Sequence, residues 1–218
     1  MKKKKIIILV GAPGSGKGTQ AELLAKKMNM EILSPGAIFR KEVEKGSVIG
    51  KKAGPFMKKG LLVRDDIVCS VIINRIKKID KSIILDGFPR NQVQAKVLGD
   101  FLKNQNTTSL VIEIALPLKT ALKRISGRLS CNSCGESFHV DFKPPTQNKT
   151  CDKCGNKLVV RSDSKEKIVK TRWQIYQYAT KPIVAYYKTN KHYSYQKVDG
   201  TKLIPEVFVE IFDIVKNS

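Results

Sequence analysis

The chain has no long apolar run and few aromatic residues. No stretch of about 18 apolar residues occurs among its 218 residues, so we expect no membrane span and no membrane partner. Aromatic residues make up only 7% of the chain, which argues against a nucleic-acid-binding surface built on stacking aromatics. The 41% of hydrophobic residues still suffices for the core of one α/β domain with small insertions.

Acidic residues are also scarce, which leaves a formal net charge of +22. We interpret most of this excess as a lysine-rich solvated surface, because 33 of the basic residues are dispersed lysines and only 8 are arginines. Arginine holds phosphate in a bidentate fork, whereas lysine acts as a point charge. A polyanionic partner remains an alternative, and the specific anion chemistry is expected at the arginines.

The basic N-terminus and the apolar run that follows it resemble the start of a signal peptide. The run at residues 6–10 is short, however, and leads into a glycine-rich loop rather than a cleavage site with small residues. We therefore interpret it as a buried strand and expect an intracellular, cytoplasmic protein.

Four of the five cysteines form two pairs, Cys131-x2-Cys134-x16-Cys151-x2-Cys154. In an intracellular chain this spacing indicates a metal site rather than disulfides. Four thiolates complete a tetrahedral structural Zn²⁺ site, although another metal such as iron remains possible. The nearby His139 is not needed as a ligand, and Cys69, which lies in an apolar stretch, is expected to be a buried structural thiol.

Short apolar runs alternate with helical patterns along the chain. The predicted strands are residues 5–10, 31–33, 82–86, 110–115 and 195–198. This alternation predicts a three-layer α/β fold with a five-stranded parallel sheet and helices on both faces. Residues 127–164 interrupt the pattern and have too few apolar residues for a core of their own, so we expect a small insert that zinc organises.

The segment GAPGSGKGTQ, residues 11–20, follows the first strand and opens a helical pattern. Its glycines let backbone N–H groups approach an anion at a helix N-terminus, and Lys17 would reach the outer phosphates. The general pattern for phosphate loops places a hydroxyl directly after the lysine. Here Gly18 stands at that position, and Thr19 follows one place late. The segment therefore predicts a nucleotide site of a particular kind.

The form Gly-x-Pro-Gly-x-Gly-Lys-Gly-Thr resembles the phosphate loop of the adenylate kinase branch of nucleoside monophosphate kinases. Residues 86–90, Asp-Gly-Phe-Pro-Arg, followed by Gln94, resemble the monophosphate-binding strand end of that family. The cysteine spacing is similar to that of the zinc lid in long-form bacterial-type members. The resemblance covers nearly the whole chain and implies a P-loop NTPase fold, a monomer, and the reversible reaction ATP + AMP = 2 ADP with Mg²⁺.

The resemblance also implies a role for individual residues. Arg40 and Arg90 would hold the AMP phosphate, and Gln94 would pair with the adenine edge, which favours AMP over pyrimidine monophosphates. Asp86 would hold water ligands of magnesium. The implied AMP-binding set is Arg40, Leu61, Leu62, Val63, Gly87, Phe88, Pro89, Arg90, Gln94, Arg161 and Arg172. The implied ATP-binding set is Gly14, Ser15, Gly16, Lys17, Gly18, Thr19, Arg124, Arg128, Ser137, Phe138 and Lys202.

Catalysis is expected to combine positioning with neutralisation of phosphate charge. The catalytic set implied by the resemblance is Lys17, Arg90, Arg128, Arg161 and Arg172. Closure of an arginine-rich lid would also exclude water from the transferring group. The expected division of the chain is a P-loop core at residues 1–33, 64–126 and 165–218, an AMP-binding insert at 34–63 and a zinc-binding lid at 127–164.

Three positions depart from the family pattern. Pro35 replaces a hydroxyl residue, Ala37 replaces an acid, and Ser164 stands where a second aspartate is expected. These departures leave open a kinase for GMP, CMP or UMP, and a pseudo-kinase that only binds nucleotides. A zinc-ribbon protein that binds nucleic acid is a rival from another class.

Overall fold

The computed structural model describes residues 4–103, 105, 107–147, 149–160 and 166–218. The strands are β1 (Lys4–Gly11), β2 (Glu31–Leu33), β3 (Ile83–Asp86), β4 (Thr107–Ala115), β5 (Arg128–Cys131), β6 (Ser137–His139), β7 (Leu158–Val160) and β8 (Ser194–Asp199). The helices are α1 (Lys17–Met28), α2 (Pro35–Glu44), α3 (Val48–Lys58), α4 (Asp65–Lys77), α5 (Gln92–Lys103), α6 (Leu118–Ser126), α7 (Glu166–Ile175), α8 (Lys181–Thr189) and α9 (Ile204–Lys216), with a π-helix (Tyr176–Thr180) between α7 and α8. In these ranges no helix has the length and apolarity that crossing a membrane requires.

The main sheet has five strands in the order β2-β3-β1-β4-β8, and every neighbouring pair is parallel. The predicted five-stranded parallel sheet is therefore confirmed. The register pairs Leu9 with Asp86 and Gly11 with Ile114, so the end of β1 lies between the ends of β3 and β4. Ligands of such sheets bind at the carboxyl ends of the strands. The register thus brings the glycine-rich loop and Asp86 to the edge where a ligand is expected.

Helices cover both faces of this sheet, which explains why β1 is a continuous apolar run. Ile6 and Ile8 belong to a buried cluster that includes residues of α4, α5 and α8. Ile7 and Leu9 belong to a second buried cluster, with residues of α1 and α9. Alternate side chains of a strand point to opposite faces, so both must be apolar when both faces are buried.

Residues 128–160 form a second, smaller sheet. Its strands are antiparallel in the order β6-β5-β7. Among the residues of this region that the structure describes, four side chains form the buried cluster: Cys131, Phe138, Cys151 and Leu158. Two of the four are the cysteines that the sequence assigns to a metal site, so the apolar core is as small as predicted.

The bounds of some elements differ from the sequence prediction. The apolar pattern of residues 67–79 predicts a helix, whereas the observed helix α4 begins at Asp65 and ends at Lys77. Asp65 and Asp66 occupy its first turn, where a negative charge is favourable to the helix dipole. Strand β4 begins at Thr107, three residues before its apolar part, because its polar first residues pair with the start of β1.

Candidate active site

The glycine-rich loop joins β1 to α1. Gly14 and Gly16 have φ angles of +82° and +90°, in the left-handed region that favours glycine. A Cβ atom on Gly14 would lie 2.8 Å from the carbonyl oxygen of Ala121, so the loop packs directly on α6. The loop geometry therefore requires glycine at this position.

Gly18 lies in the first turn of α1 and faces Asp86. A Cβ atom at Gly18 would lie 3.7 Å from Oδ2 of Asp86. The absence of a side chain keeps the space between this turn and the carboxylate open. The hydroxyl residue Thr19 is the next residue of the helix and is half-buried.

Lys17 lies over the loop that precedes it. Its Nζ donates hydrogen bonds to the carbonyl oxygens of Gly11 at 2.7 Å and Ala12 at 2.9 Å. Burial lowers the pKa of Lys17 to about 7, although the charge of Asp86 acts in the opposite direction. Arg90, Arg172 and Arg128 lower this pKa further. Three of the five predicted catalytic cations, Lys17, Arg90 and Arg172, line one cleft. Arg128 is near enough for its charge to act on Lys17, and Arg161 lies outside the described residues.

The strand end at Asp86 continues into a tight turn that positions Arg90. Gly87 has a φ angle of +72°, and its carbonyl oxygen accepts a hydrogen bond from Arg90 Nε at 2.8 Å. A Cβ atom on Gly87 would lie 2.8 Å from Arg90 Nη2. From the other side, Thr180 Oγ1 donates to the carbonyl oxygen of Arg90 at 2.8 Å. The guanidinium and the backbone of Arg90 are thereby both held.

Phe88, which was predicted to bind AMP, has its ring in the core. It is 0% exposed and belongs to the buried cluster beside α4, α5 and α8. The ring itself lies too deep in the core to contact a nucleotide, and the place of Phe88 in the AMP-binding set stays a prediction. Only the backbone of Phe88 is available for such a contact.

A cavity of about 560 Å³ lies between α2, α4 and the lid. Its volume falls in the usual range for small-molecule sites. Eight residues of the predicted AMP set line it: Arg40, Leu61, Leu62, Val63, Gly87, Arg90, Gln94 and Arg172. A neighbouring cleft is lined by Lys17 and Pro89 and shares Arg90 and Arg172 with the cavity. The phosphate loop and the predicted AMP site are therefore continuous.

Two of the three departures from the family pattern lie in this cavity. Pro35 and Ala37 are both lining residues. Neither side chain can make a hydrogen bond to a ligand. Ser164 lies outside the described residues.

Gln94 is 2% exposed and forms three hydrogen bonds within the protein. Its Oε1 accepts from the backbone N–H of Arg90 at 2.8 Å, and its Nε2 donates to Oδ1 of Asp65 at 2.7 Å. Its backbone N–H donates to Oδ1 of Asn91 at 2.9 Å. The sequence analysis missed Asp65 and Asn91, because an acid in a first helical turn and an asparagine before a helix look like capping residues.

Arg124 lies against the loop that follows β8. Its Nη1 donates to the carbonyl oxygen of Gly200 at 2.6 Å, and Nη2 lies 3.4 Å from the carbonyl oxygen of Lys202. The Lys202 side chain turns to α9, where Nζ pairs with Oε2 of Glu210 at 2.8 Å. The structure thus brings the predicted residues Arg124 and Lys202 together. The contact is made by the backbone of Lys202, whereas its ammonium group lies at α9.

The lid places Arg128 next to Ser137, whose Oγ lies 3.4 Å from Arg128 Nη2. Phe138, which was predicted to contact the adenine of ATP, is only 4% exposed in the lid core, and Lys143 Nζ lies 5.3 Å from its ring centroid. A ring buried in the lid core is not available to stack on a base, and the place of Phe138 in the ATP-binding set stays a prediction. Contact from position 138 would have to come from the backbone.

The lid also contributes polar residues to the 560 Å³ cavity. Ser130, Asn132 and Ser133 are among its lining residues. The sequence gives no signal for this contact, because short polar residues between metal ligands resemble a solvated turn. The lid therefore faces the predicted AMP site.

The four paired cysteines converge at one end of the lid. Their Sγ atoms all lie within 4.8 Å of one another, and all four are free of disulfides. Cys131 and Cys154 have their Sγ atoms 3.4 Å apart, and the Sγ atoms of Cys134 and Cys151 are 3.5 Å apart. Tetrahedral zinc with Zn–S bonds of about 2.3 Å needs sulfur atoms about 3.8 Å apart. The donor set and its spacing therefore fit a structural zinc ion.

His139 is not part of this cluster. Its Nδ1 accepts hydrogen bonds from the backbone N–H groups of Asp141 at 2.9 Å and Phe142 at 3.2 Å. Burial lowers the pKa of His139, so the ring is held in its neutral form. The residue supports the chain reversal after β6 and agrees with the prediction that four cysteines suffice.

Comparison with known proteins was consistent with this geometry. A family model described as adenylate kinase matches residues 9–192. An adenylate kinase of Clostridium botulinum (strain Eklund 17B / Type B) is 40% identical over 210 residues, which cover 94% of this chain and 96% of the relative. An adenylate kinase of Archaeoglobus fulgidus is 40% identical over 96% of this chain and 97% of its own. One of Caldicellulosiruptor bescii is 44% identical over 84% and 86%, respectively.

The family match, these relatives and the continuous nucleotide site lead to one assignment. The activity is phosphoryl transfer from ATP to AMP, which yields two molecules of ADP. The chain belongs to the adenylate kinase family.

Proposed function

We propose that the phosphoryl group passes from ATP to AMP in the space between Lys17 and Arg90. The observation that supports this most is that Arg90 and Arg172 line both the cleft at the phosphate loop and the larger cavity. One pair of cations would therefore contact the phosphates of both nucleotides. The transition state of phosphoryl transfer spreads charge over its equatorial oxygens, and such cations stabilise it without a covalent intermediate.

ATP would occupy the loop side of this space. The backbone N–H groups of residues 14–19 would hold its phosphates together with Lys17, and Arg124 would lie against its adenine. Magnesium that arrives with ATP would supply further positive charge to the phosphate oxygens. Asp86 would hold the water ligands of that ion, since its carboxylate faces the turn at Gly18.

AMP would occupy the 560 Å³ cavity. Arg40 and Arg90 would hold its phosphate, and residues 61–63 would cover its base. Gln94 would pair with the adenine edge. A buried amide that pairs with a base rejects analogues that leave it unpaired, which supports AMP over the other monophosphates.

The lid would close the site and exclude water. In this proposal Arg128, Arg161 and Arg172 contact the transferring group, and zinc on the four cysteines keeps the lid folded. The chain then divides into a core at residues 1–33, 64–126 and 165–218, an AMP-binding insert at 34–63 and a lid at 127–164. Both sites come from one chain, which supports a monomer, and the substrates ATP, AMP and ADP support a cytoplasmic location.

The assignment of ATP to the loop side and of AMP to the cavity can be tested with two arginine variants. Arg40→Ala should raise the KM for AMP about tenfold or more and leave the KM for ATP within about twofold, because a charge-assisted hydrogen bond to phosphate is lost. Arg124→Ala should raise the KM for ATP about tenfold or more and leave the KM for AMP within about twofold. Arg75→Ala, which removes an exposed arginine at the end of α4, is the control and should change neither. Equal changes in both KM values, or changes in the opposite sense, would contradict the assignment.

A further inference from the structure

The amide group of Gln94 is held in one orientation. Its Oε1 accepts from the backbone N–H of Arg90, and its Nε2 donates to the carboxylate of Asp65. A backbone N–H can only donate, and an ionised carboxylate can only accept. Rotation of the amide by 180° would therefore place oxygen against oxygen and N–H against N–H. Both neighbours disfavour the reversed orientation.

Asp65 is itself held by a third residue. Asn91 Nδ2 donates to Oδ1 of Asp65 at 2.9 Å, and Oδ1 of Asn91 accepts from the backbone N–H of Gln94 at 2.9 Å. Asp65 begins α4, and Gln94 lies in the first turn of α5. These contacts, which we call the Asp65–Asn91–Gln94 network, tie together the starts of two helices that pack against each other. The position of the Asp65 carboxylate relative to the Gln94 amide is therefore fixed by two packed helices.

The fixed amide presents a defined pattern to the cavity that Gln94 lines. After its internal bonds, Oε1 keeps one lone pair and Nε2 keeps one N–H, side by side. Adenine has a donor at N6 with acceptors at N1 and N7 on either side, which complements this pair. Hypoxanthine and guanine have an acceptor, O6, at the same position. They would match only the reversed amide.

We propose that Asp65 is a positioning residue that determines base specificity, because its carboxylate locks the Gln94 amide in the orientation that accepts adenine. This inference rests on the proposed contact between Gln94 and AMP. Pro35 and Ala37 also line the cavity without offering a hydrogen bond, so discrimination between bases depends on the amide more strongly.

The test compares AMP with inosine monophosphate, which differs at position 6 of the base and lacks the extra amino group of guanine. Asp65→Ala removes one of the two contacts that disfavour the reversed amide and leaves only the N–H of Arg90, so the ratio of kcat/KM for AMP to that for inosine monophosphate should fall about tenfold or more. The KM for ATP should stay within about twofold. Asp65→Asn keeps an oxygen acceptor for both amide donors and should retain most of the ratio.

The control is Asp66→Ala, in the same helical turn. Asp66 pairs with Arg64 at 3.1 Å, and its side chain is 62% exposed. Asp66→Ala removes one negative charge from the first turn of α4, as Asp65→Ala does, but leaves the contacts of Gln94 intact. The ratio of kcat/KM for AMP to that for inosine monophosphate should therefore not change. If Asp65→Ala fails to fold, Asp65→Ser carries the same prediction, because serine suits a helix start but is too short to reach Gln94 Nε2.

The outcomes separate this inference from the assignment of Gln94. If Gln94→Ala collapses the ratio and the Asp65 variants leave it within twofold of the parent, the amide reads the base without Asp65 and the inference is wrong. An equal fall in Asp66→Ala would also overturn it, since the effect would then belong to the helix. If Gln94→Ala itself leaves the ratio unchanged, the proposed contact of Gln94 with AMP fails.

Discussion

The phosphate-loop core and the lid are made rigid in different ways. Two buried clusters of aliphatic and aromatic side chains, one on each face of the five-stranded sheet, support the loop that carries Lys17. The lid has one cluster of four buried side chains, and Cys131 and Cys151 are two of them. The hydrophobic effect therefore holds the loop at Lys17, whereas the lid, in the function proposed above, would depend on metal coordination to hold its arginines.

The strongest way to disable the core without unfolding it is Lys17→Met. We expect kcat to fall about 10²–10³-fold, because a preorganised cation is lost from the phosphates. The two hydrogen bonds from Lys17 to the loop carbonyls are also lost, so thermal unfolding should be measured alongside steady-state kinetics.

Lys26→Met is the matched control, because it removes an exposed lysine from the last turn of the same helix. It should leave kcat unchanged. A Lys17→Met enzyme with more than a tenth of the parent kcat would contradict the role given to this cation.

Removal of the metal should disable the lid and spare the core. Chelation, or Cys131→Ser, should lower activity at least tenfold, because the small apolar cluster of the lid cannot remain folded alone. Far-ultraviolet circular dichroism should show that the helices and the parallel sheet persist. Metal content and activity should be measured on the same sample.

Cys69→Ala serves as the control for thiol loss. Cys69 lies on α4, is buried in the main core and is outside the cysteine cluster. It should keep its metal and its activity. Full activity in a metal-free protein would refute the contrast between lid and core.

Two glycines separate backbone strain from the positioning of Arg90. Gly87 and Gly46 have φ angles of +72° and +64°, but only a Cβ on Gly87 meets the Arg90 guanidinium, and one on Gly46 meets nothing within 4 Å. Alanine at either site should cost about 1 kcal/mol of stability. Only Gly87→Ala should also raise the KM for AMP, by about tenfold, because Arg90 must move.

Equilibrium denaturation and AMP saturation curves on both variants measure these two effects separately. A similar rise in KM for Gly46→Ala would mean that strain alone, rather than displacement of Arg90, accounts for the loss.

A separate prediction concerns the pH dependence that Lys17 imparts to the stability of the core. Its pKa is about 7 in the folded protein and 10.5 in an unperturbed lysine. Between these values the unfolded chain binds the proton that the folded protein lacks, so the contribution of Lys17 to the free energy of unfolding rises with pH from 7 to 10.5. The difference between the parent and Lys17→Met in denaturant midpoint should follow this rise. A difference that is constant or falls over this interval would contradict the depressed pKa.

The two regions also differ in how far the sequence could predict them. The phosphate loop and the cysteine pairs are contiguous motifs with a definite spacing, so their elements and their chemistry were predicted together. The parallel sheet followed from buried runs such as Ile6 to Val10, which are apolar because both faces are covered. The direction of a side chain is a tertiary property, so no local pattern signals that the rings of Phe88 and Phe138 are buried. The contact of Asp65 with Gln94 joins residues 29 positions apart, and no local pattern signals it.

The measurement that tests the central claim most directly is phosphoryl transfer from ATP to each of AMP, GMP, CMP and UMP by the metal-replete protein, with zinc measured in the same sample. The account predicts that kcat/KM is highest for AMP, that two ADP form for each AMP consumed, and that each chain holds one zinc ion. Faster turnover of UMP than of AMP, or no formation of ADP, would contradict it.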